Sequence, residues 1–196
     1  MMMVPAKIDV YAKEAEPYYK LEGAQDRYTI ERMRKELPFP VIYPLAELQE
    51  GAKKDFVFFK TEHHWTEWGA YLGYQKLVQE MTKDFPEVKA TGEESYDIFY
   101  KREVRGDWKR DEFTPGQTFL QMNVKYPEEK LLDVEYKYYT PKTKLKAIVD
   151  DTQMSKYYRN PKGSGLRAIL IGTSMSEGIL QFLPCLLYTS DAADEL

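Results

Sequence analysis

Phe56-Val57-Phe58-Phe59-Lys60-Thr61-Glu62-His63-His64-Trp65-Thr66 holds both histidines of the chain, side by side behind an apolar run. Four successive apolar residues rich in β-formers predict a buried strand over 56–59. Thr66 suits an N-cap, and Glu67 in the following turn suits the positive end of a helix dipole. Ala70, Tyr74, Leu77, Val78 and Met81 then recur at helical spacing, which predicts an amphipathic helix over 67–82. The imidazoles therefore belong to a short loop between a buried strand and a helix, the place where α/β proteins display functional groups.

Working outward, the spacing predicts a first strand over 3–11, interrupted by Pro5. A helix over 25–37 follows, with Tyr28, Ile30, Met33 and Leu37 roughly at helical spacing among charges and Pro38 and Pro40 as its stop. Residues 41–45 read as a short strand or an extended lead into a brief helix over 45–51. Strands alternating with helices at this spacing define an α/β domain. Residues 84–160 differ: Pro86, Pro115, Pro127 and Pro141 punctuate them, charge is dense, and tyrosines cluster at 136, 138, 139, 157 and 158. The segment reads as a β-rich or irregular insertion, strand-like over 131–139 and 145–149. Its aromatic surplus suits core and interface packing, or a platform for sugar rings.

Past a turn-rich break at 160–165, Arg167-Ala168-Ile169-Leu170-Ile171-Gly172 reads as a fully buried parallel strand. It runs into Thr173-Ser174-Met175-Ser176 and a helix. A buried strand, a glycine turn, a serine and a helix start is an arrangement that presents a nucleophile, with the serine's own backbone N–H pointing the same way toward an oxyanion.

Composition limits the functions available. The 196 residues form one domain by default, 43% hydrophobic and 14% aromatic with 16 Tyr. A net charge of −4 gives no electrostatic case for nucleic acid. No apolar run approaches the roughly 20 residues that cross a bilayer, and the first residues lack the pattern of a signal peptide. The end of the chain, 185–196, resembles a translated transposase sequencing adapter over Cys185 to Glu195 and is set aside from the fold. The only cysteine lies there, so the remainder says nothing about redox compartment. Removing Asp191, Asp194 and Glu195 from the 32 acids leaves 29 against 28 bases, a charge of −1. The expected organisation is one domain over 1–184 with its insertion at about 84–160, cut at both ends.

The chemical parts are a carboxylate, Glu62, an imidazole two residues on, His64, and a serine at a strand–helix turn, Ser174. Acyl transfer needs all three roles: hydroxyl nucleophile, proton-shuttling imidazole, and a carboxylate that orients the imidazole and offsets its charge. The order acid, base, nucleophile is no objection, because such triads are defined by geometry. A serine opening a helix also serves as an ordinary N-cap, and paired loop histidines also simply pack and hydrogen-bond. Glu62, His63, His64 and Glu67 offer a metal site as a third reading. Adjacent side chains converge poorly and no third histidine or cysteine completes the ligands, so neither metal nor cofactor is expected.

Thr61-Glu62-His63-His64-Trp65-Thr66, followed by Gly69-Ala70-Tyr71, resembles the signature of the DHHW family of bacterial proteins. That family is similar to the alginate O-acetyltransferases AlgJ and AlgX, in a permuted branch of the SGNH hydrolase-like superfamily. Residues 4–11 resemble the family's first strand, and Gly172-Thr173-Ser174-Met175-Ser176 its Gly-Asp-Ser block. The resemblance spans most of 3–184 and is weak over 84–160. It implies an SGNH hydrolase-like parallel-sheet sandwich, incomplete here. It implies Ser174 as nucleophile, His64 as base and Glu62 in place of the usual aspartate. His63 and Trp65 become supporting wall residues, with Gly172 and Thr173 shaping the serine turn. Glu62 is one methylene longer than aspartate, and Thr173 replaces the aspartate that usually precedes the serine. The implied enzyme works outside the cytoplasm, tethered by a membrane segment not present in this sequence. It would move an acetyl group onto a surface polysaccharide, from an acyl donor that could be a membrane-bound O-acyltransferase, or would hydrolyse such esters. The alternative is a catalytically degenerate glycan-binding or polysaccharide-assembly protein of the same fold, which the Thr173 and Glu62 departures favour.

Overall fold

The computed structural model describes residues 1–18, 25–103, 116–124 and 166–183. The chain divides into two compact units, one of Met1–Lys125 with Gly172–Phe182, the other of Tyr126–Ile171 with Leu183–Leu196. The strand-like stretches 131–139 and 145–149, the tyrosine clusters at 136–139 and 157–158, and the adapter-like end lie outside the described residues.

In the first unit the longest helix, α5 (Glu67–Met81), forms where the periodicity places it. Thr66 caps it, its side-chain oxygen accepting from the Gly69 N–H at 3.2 Å. Trp68, Ala70, Tyr71, Tyr74 and Val78 are buried, and two glycines, Gly69 and Gly73, let other elements come close. The shorter helices before it are α1 (Lys7–Val10), α2 (Ala12–Ala15), α3 (Gln25–Glu36) and α4 (Leu45–Gly51). The α3 and α4 spans follow the sequence reading, with α3 ending just before the prolines. Ile42 makes a single parallel bridge to Met2, so the stretch before α4 is an extended lead and not a longer strand.

Of the expected first strand over 3–11, residues 7–10 are instead the single-turn helix α1, and α2 follows beyond it. Val10 is buried while Ile8 is 41% exposed, so these two residues do not line the common face that a strand would give them. Pro5 sits two residues ahead of α1, with Ala6 extended as its N-cap, and helices tolerate proline near their start.

The apolar run before the histidines is buried as expected at Val57, Phe58 and Phe59, but its partner is the segment just beyond the histidines. Phe58 bridges Trp65 antiparallel. The Phe59 N–H donates to the His64 carbonyl at 3.1 Å and the Thr66 N–H to the Val57 carbonyl at 3.0 Å. Residues 57–66 thus form a narrow hairpin, and 60–63 are its tip.

The insertion contributes β1 (Tyr96–Glu103) and β2 (Gln117–Val124), an antiparallel pair in register from Tyr96 opposite Val124 to Glu103 opposite Gln117. Phe119 of β2 stands edge-on to Phe59, ring centres 4.9 Å apart. Tyr71, Tyr74, Tyr96 and Phe182 form one aromatic cluster, with Phe182 lying 5.4–5.6 Å from each tyrosine ring. Burying a phenylalanine fully contributes about 2–3 kcal/mol. The phenols keep their hydrogen bonds through Thr91: Tyr71 donates to its carbonyl at 3.2 Å, and Tyr74 and Tyr96 meet its hydroxyl.

Residues 166–173, which include the stretch 167–172 read from sequence as a fully buried parallel strand, carry no regular secondary structure. Ile169 is 72% and Ile171 91% exposed. Apolar composition makes a strand only when a ladder partner satisfies its backbone, and 166–173 join no ladder among the described residues. The described elements mix helices with strands, as an α/β domain should, and the described strands form the antiparallel pair β1–β2.

Candidate active site

Ser174 opens helix α6 (Ser174–Leu180) directly after Thr173, the extended N-cap. The cap is closed by Ser176, whose N–H and hydroxyl both donate to the Thr173 carbonyl, at 2.8 and 2.6 Å. A Cβ at Gly172 would lie 2.7 Å from the Ser176 side chain, so a side chain there would crowd the turn. Thr173 makes no side-chain cap.

An indole holds α6 against the histidine hairpin. Trp65, 4% exposed, packs on glycines of both helices. A Cβ at Gly178 would come 2.5 Å from its Nε1, and one at Gly73 would come 2.8 Å from its ring. Gly69 is tighter still, since a Cβ there would meet the Val57 carbonyl at 2.2 Å. Ile179 of α6 and Phe182 just beyond it are buried.

This packing brings together residues 110 positions apart in sequence. His64 Nε2 lies 2.8 Å from Ser174 Oγ. On the other side of the ring, Nδ1 is 3.7 Å from Glu62 Oε2, with both side chains largely sheltered. That distance is longer than a direct hydrogen bond, and the contact is an ion pair only when the imidazole is protonated. His63 does not join the row. Its exposed ring stacks on His64 at 4.0 Å between centres, tilted by 36°. Among the described residues no group of three or more His, Cys, Asp or Glu side chains is gathered as for a metal ion.

Lys7 and Gln117 are contacts that sequence reasoning missed. The Lys7 ammonium donates to the carbonyls of Phe59, Lys60 (3.0 Å) and Glu62 (3.5 Å). Burial holds its pKa below the ordinary lysine value, with the Glu62 carboxylate pulling the other way. Gln117, 7% exposed, accepts the Lys60 N–H at 2.7 Å. No sequence pattern signals either residue, because each touches the hairpin from more than 50 positions away.

The Ser174 hydroxyl at the start of α6, the His64 imidazole and the Glu62 carboxylate thus lie in a row. The chain belongs to the AlgX family, the SGNH hydrolase-like domain of the acetyltransferase AlgX, which it matches over residues 1–193. No curated protein matches it by sequence. Among solved structures it is similar to PatB1 of Bacillus cereus, with TM-score 0.65, 14% identity, and 95% of this chain and 70% of that one covered. A PatB1 structure with a sulfonyl adduct gives TM-score 0.64 at 14% identity, covering 95% and 69%. A DHHW family protein from Eubacterium siraeum gives TM-score 0.58 at 18% identity, covering 95% and 66%. At these identities the structural likeness is one of fold.

Proposed function

We propose that this protein is a serine-dependent acyltransferase or esterase that transfers or removes acetyl groups on a polysaccharide outside the cytoplasm. The observation that carries the reading is the 2.8 Å contact between His64 Nε2 and Ser174 Oγ, backed by Glu62 across the ring. Membership of an acetyltransferase family supports the acyl chemistry. No described helix is long and apolar enough to cross a membrane, so the tether expected by resemblance is not among the described helices.

In the proposed reaction Ser174 Oγ attacks the acyl carbonyl and its proton passes to His64 Nε2. Glu62 offsets the positive charge that develops on the imidazole and favours the tautomer with the proton on Nδ1. The backbone N–H of Ser174 has no acceptor within α6, as for every first-turn N–H, and suits the developing oxyanion. Collapse breaks the acyl–oxygen bond of the donor, whose leaving oxygen takes the proton from His64. The acyl-serine is then attacked by a sugar hydroxyl, giving transfer, or by water, giving hydrolysis. His64 removes the proton of either acceptor and gives it to Ser174 Oγ as the acyl–serine bond breaks, which restores the starting state.

Ester turnover tests this reading. With p-nitrophenyl acetate, Ser174→Ala and His64→Ala are expected to lower turnover at least about 1000-fold while leaving the folded circular-dichroism spectrum in place. Equal turnover in wild type and both variants would remove the reading. The second reading, a glycan-binding or assembly protein with a degenerate site, draws on the 3.7 Å gap between Glu62 and His64. It predicts oligosaccharide binding that survives Ser174→Ala, with no ester turnover.

A further inference from the structure

Resting on that reading of Ser174 and His64, we propose that Lys7 is a positioning residue for the acid–base pair. Its ammonium acts as a strap across the hairpin tip that holds Glu62 behind the imidazole. The three carbonyls it bonds, Phe59, Lys60 and Glu62, belong to the start, shoulder and far side of one turn. A lysine ammonium has three donors and no acceptor, so it can gather three carbonyls that would otherwise repel one another. Two further bonds hold the ends of the turn, the Phe59–His64 backbone bond and the Gln117 contact at Lys60. Neither of them reaches Glu62, which the strap does.

Lys7 can act in this way because its own backbone is anchored. On α1, the Asp9 carbonyl accepts from the Gln49 side chain of α4 at 3.1 Å, and the Asp9 carboxylate meets the Tyr43 hydroxyl. Just after α1, the Tyr11 hydroxyl accepts the Val57 N–H at 3.0 Å, at the base of the same hairpin. The N-terminal turn therefore grips the hairpin at its base through Tyr11 and at its tip through Lys7. Losing the ammonium would let the Glu62 carbonyl and carboxylate turn away, and the imidazole would lose the partner that selects its tautomer.

The test compares wild type with Lys7→Met, which keeps a long apolar stem, and Lys7→Arg, which keeps a cation with several donors. Imidazole 15N chemical shifts report the tautomer, and with only two histidines in the chain His63→Gln assigns the signals. Wild type and Lys7→Arg are expected to show neutral His64 protonated on Nδ1. Lys7→Met should move His64 toward the Nε2-protonated form and leave His63 unmoved. With p-nitrophenyl acetate, Lys7→Met should lose about 10- to 100-fold in kcat with KM little changed, and Lys7→Arg should stay within about fivefold of wild type. An unchanged His64 tautomer in Lys7→Met overturns the proposal, as does equal loss in the Met and Arg variants. If Lys7→Met does not fold, Lys7→Gln carries the same comparison. If wild type turns over no ester, the proposed function fails by itself and the tautomer alone decides the role of Lys7.

Discussion

Replacing Thr66 by alanine should damage the protein through two hydrogen bonds at once. The Thr66 hydroxyl accepts from Gly69 N–H at 3.2 Å and donates to the Phe56 carbonyl at 2.6 Å. The residue is completely buried. Loss of an N-cap costs about 1 kcal/mol. Leaving a partly buried carbonyl without its donor costs about 1–2 kcal/mol more. The expected total is about 2–3 kcal/mol, a lowering of the urea midpoint by about 1 M. Trp65 and Trp68, both buried beside the mutated residue, make intrinsic fluorescence a direct probe of the transition. Thr66→Ser keeps both hydrogen bonds and loses only a buried methyl, so it should recover all but about 1 kcal/mol. The reasoning is refuted if Thr66→Ala shifts stability by less than about 0.5 kcal/mol. It is equally refuted if serine is as harmful as alanine, because the hydroxyl would then not be the cause.

Gly178→Ala places a methyl 2.5 Å from the Trp65 indole nitrogen and 3.0 Å from the Ala70 Cβ. Overpacking of this kind costs about 1–3 kcal/mol, and moving α6 should separate Ser174 from His64. Ester turnover should fall more than about tenfold under conditions where the variant remains folded; unchanged turnover would show that the indole contact does not set the site. Alkaline stability depends on Tyr71, whose pKa is pushed up to about 12 by burial first and then by Glu93. A raised tyrosine pKa favours the folded state below the unfolded value near 10, and that contribution is lost as pH rises from 10 to 12. Allowing for solvent screening, about 1–2 kcal/mol is at stake. The stability difference between wild type and Tyr71→Phe in urea should therefore shrink from pH 9 to pH 12, and a constant difference would contradict the assignment.

The sequence is most readable where local and long-range forces agree. Thr66 as cap, the α5 periodicity and the proline stop after α3 depend on contacts within a few residues of one another. The meeting of His64 and Ser174 is an inference from chemistry and resemblance, since nothing local encodes a contact between positions so far apart. Two expected strands fail for a common reason: apolar composition marks burial without naming the partner. The run at 56–59 is buried from Val57 to Phe59 but pairs with its own continuation at Trp65 and Thr66, and 166–173 join no ladder among the described residues. The β1–β2 hairpin escapes a sequence reading because Tyr96–Glu103 lacks clean alternation, with every residue from Asp97 to Arg102 exposed. The alternation on its partner, where Phe119 and Met122 are fully buried, is broken by Leu120. Lys7 is hidden by a strand reading of 3–11, which gives its side chain no turn to reach.

Covalent trapping at Ser174 puts the central claim at most direct risk. The protein would be incubated with a serine-directed sulfonyl fluoride or fluorophosphonate, then subjected to intact mass measurement and peptide mapping. A triad at this site predicts a single adduct on the peptide carrying Ser174, absent in Ser174→Ala and formed at least about tenfold more slowly in His64→Ala. An adduct on another residue, or a Ser174 adduct formed equally fast without the His64 imidazole, would contradict it.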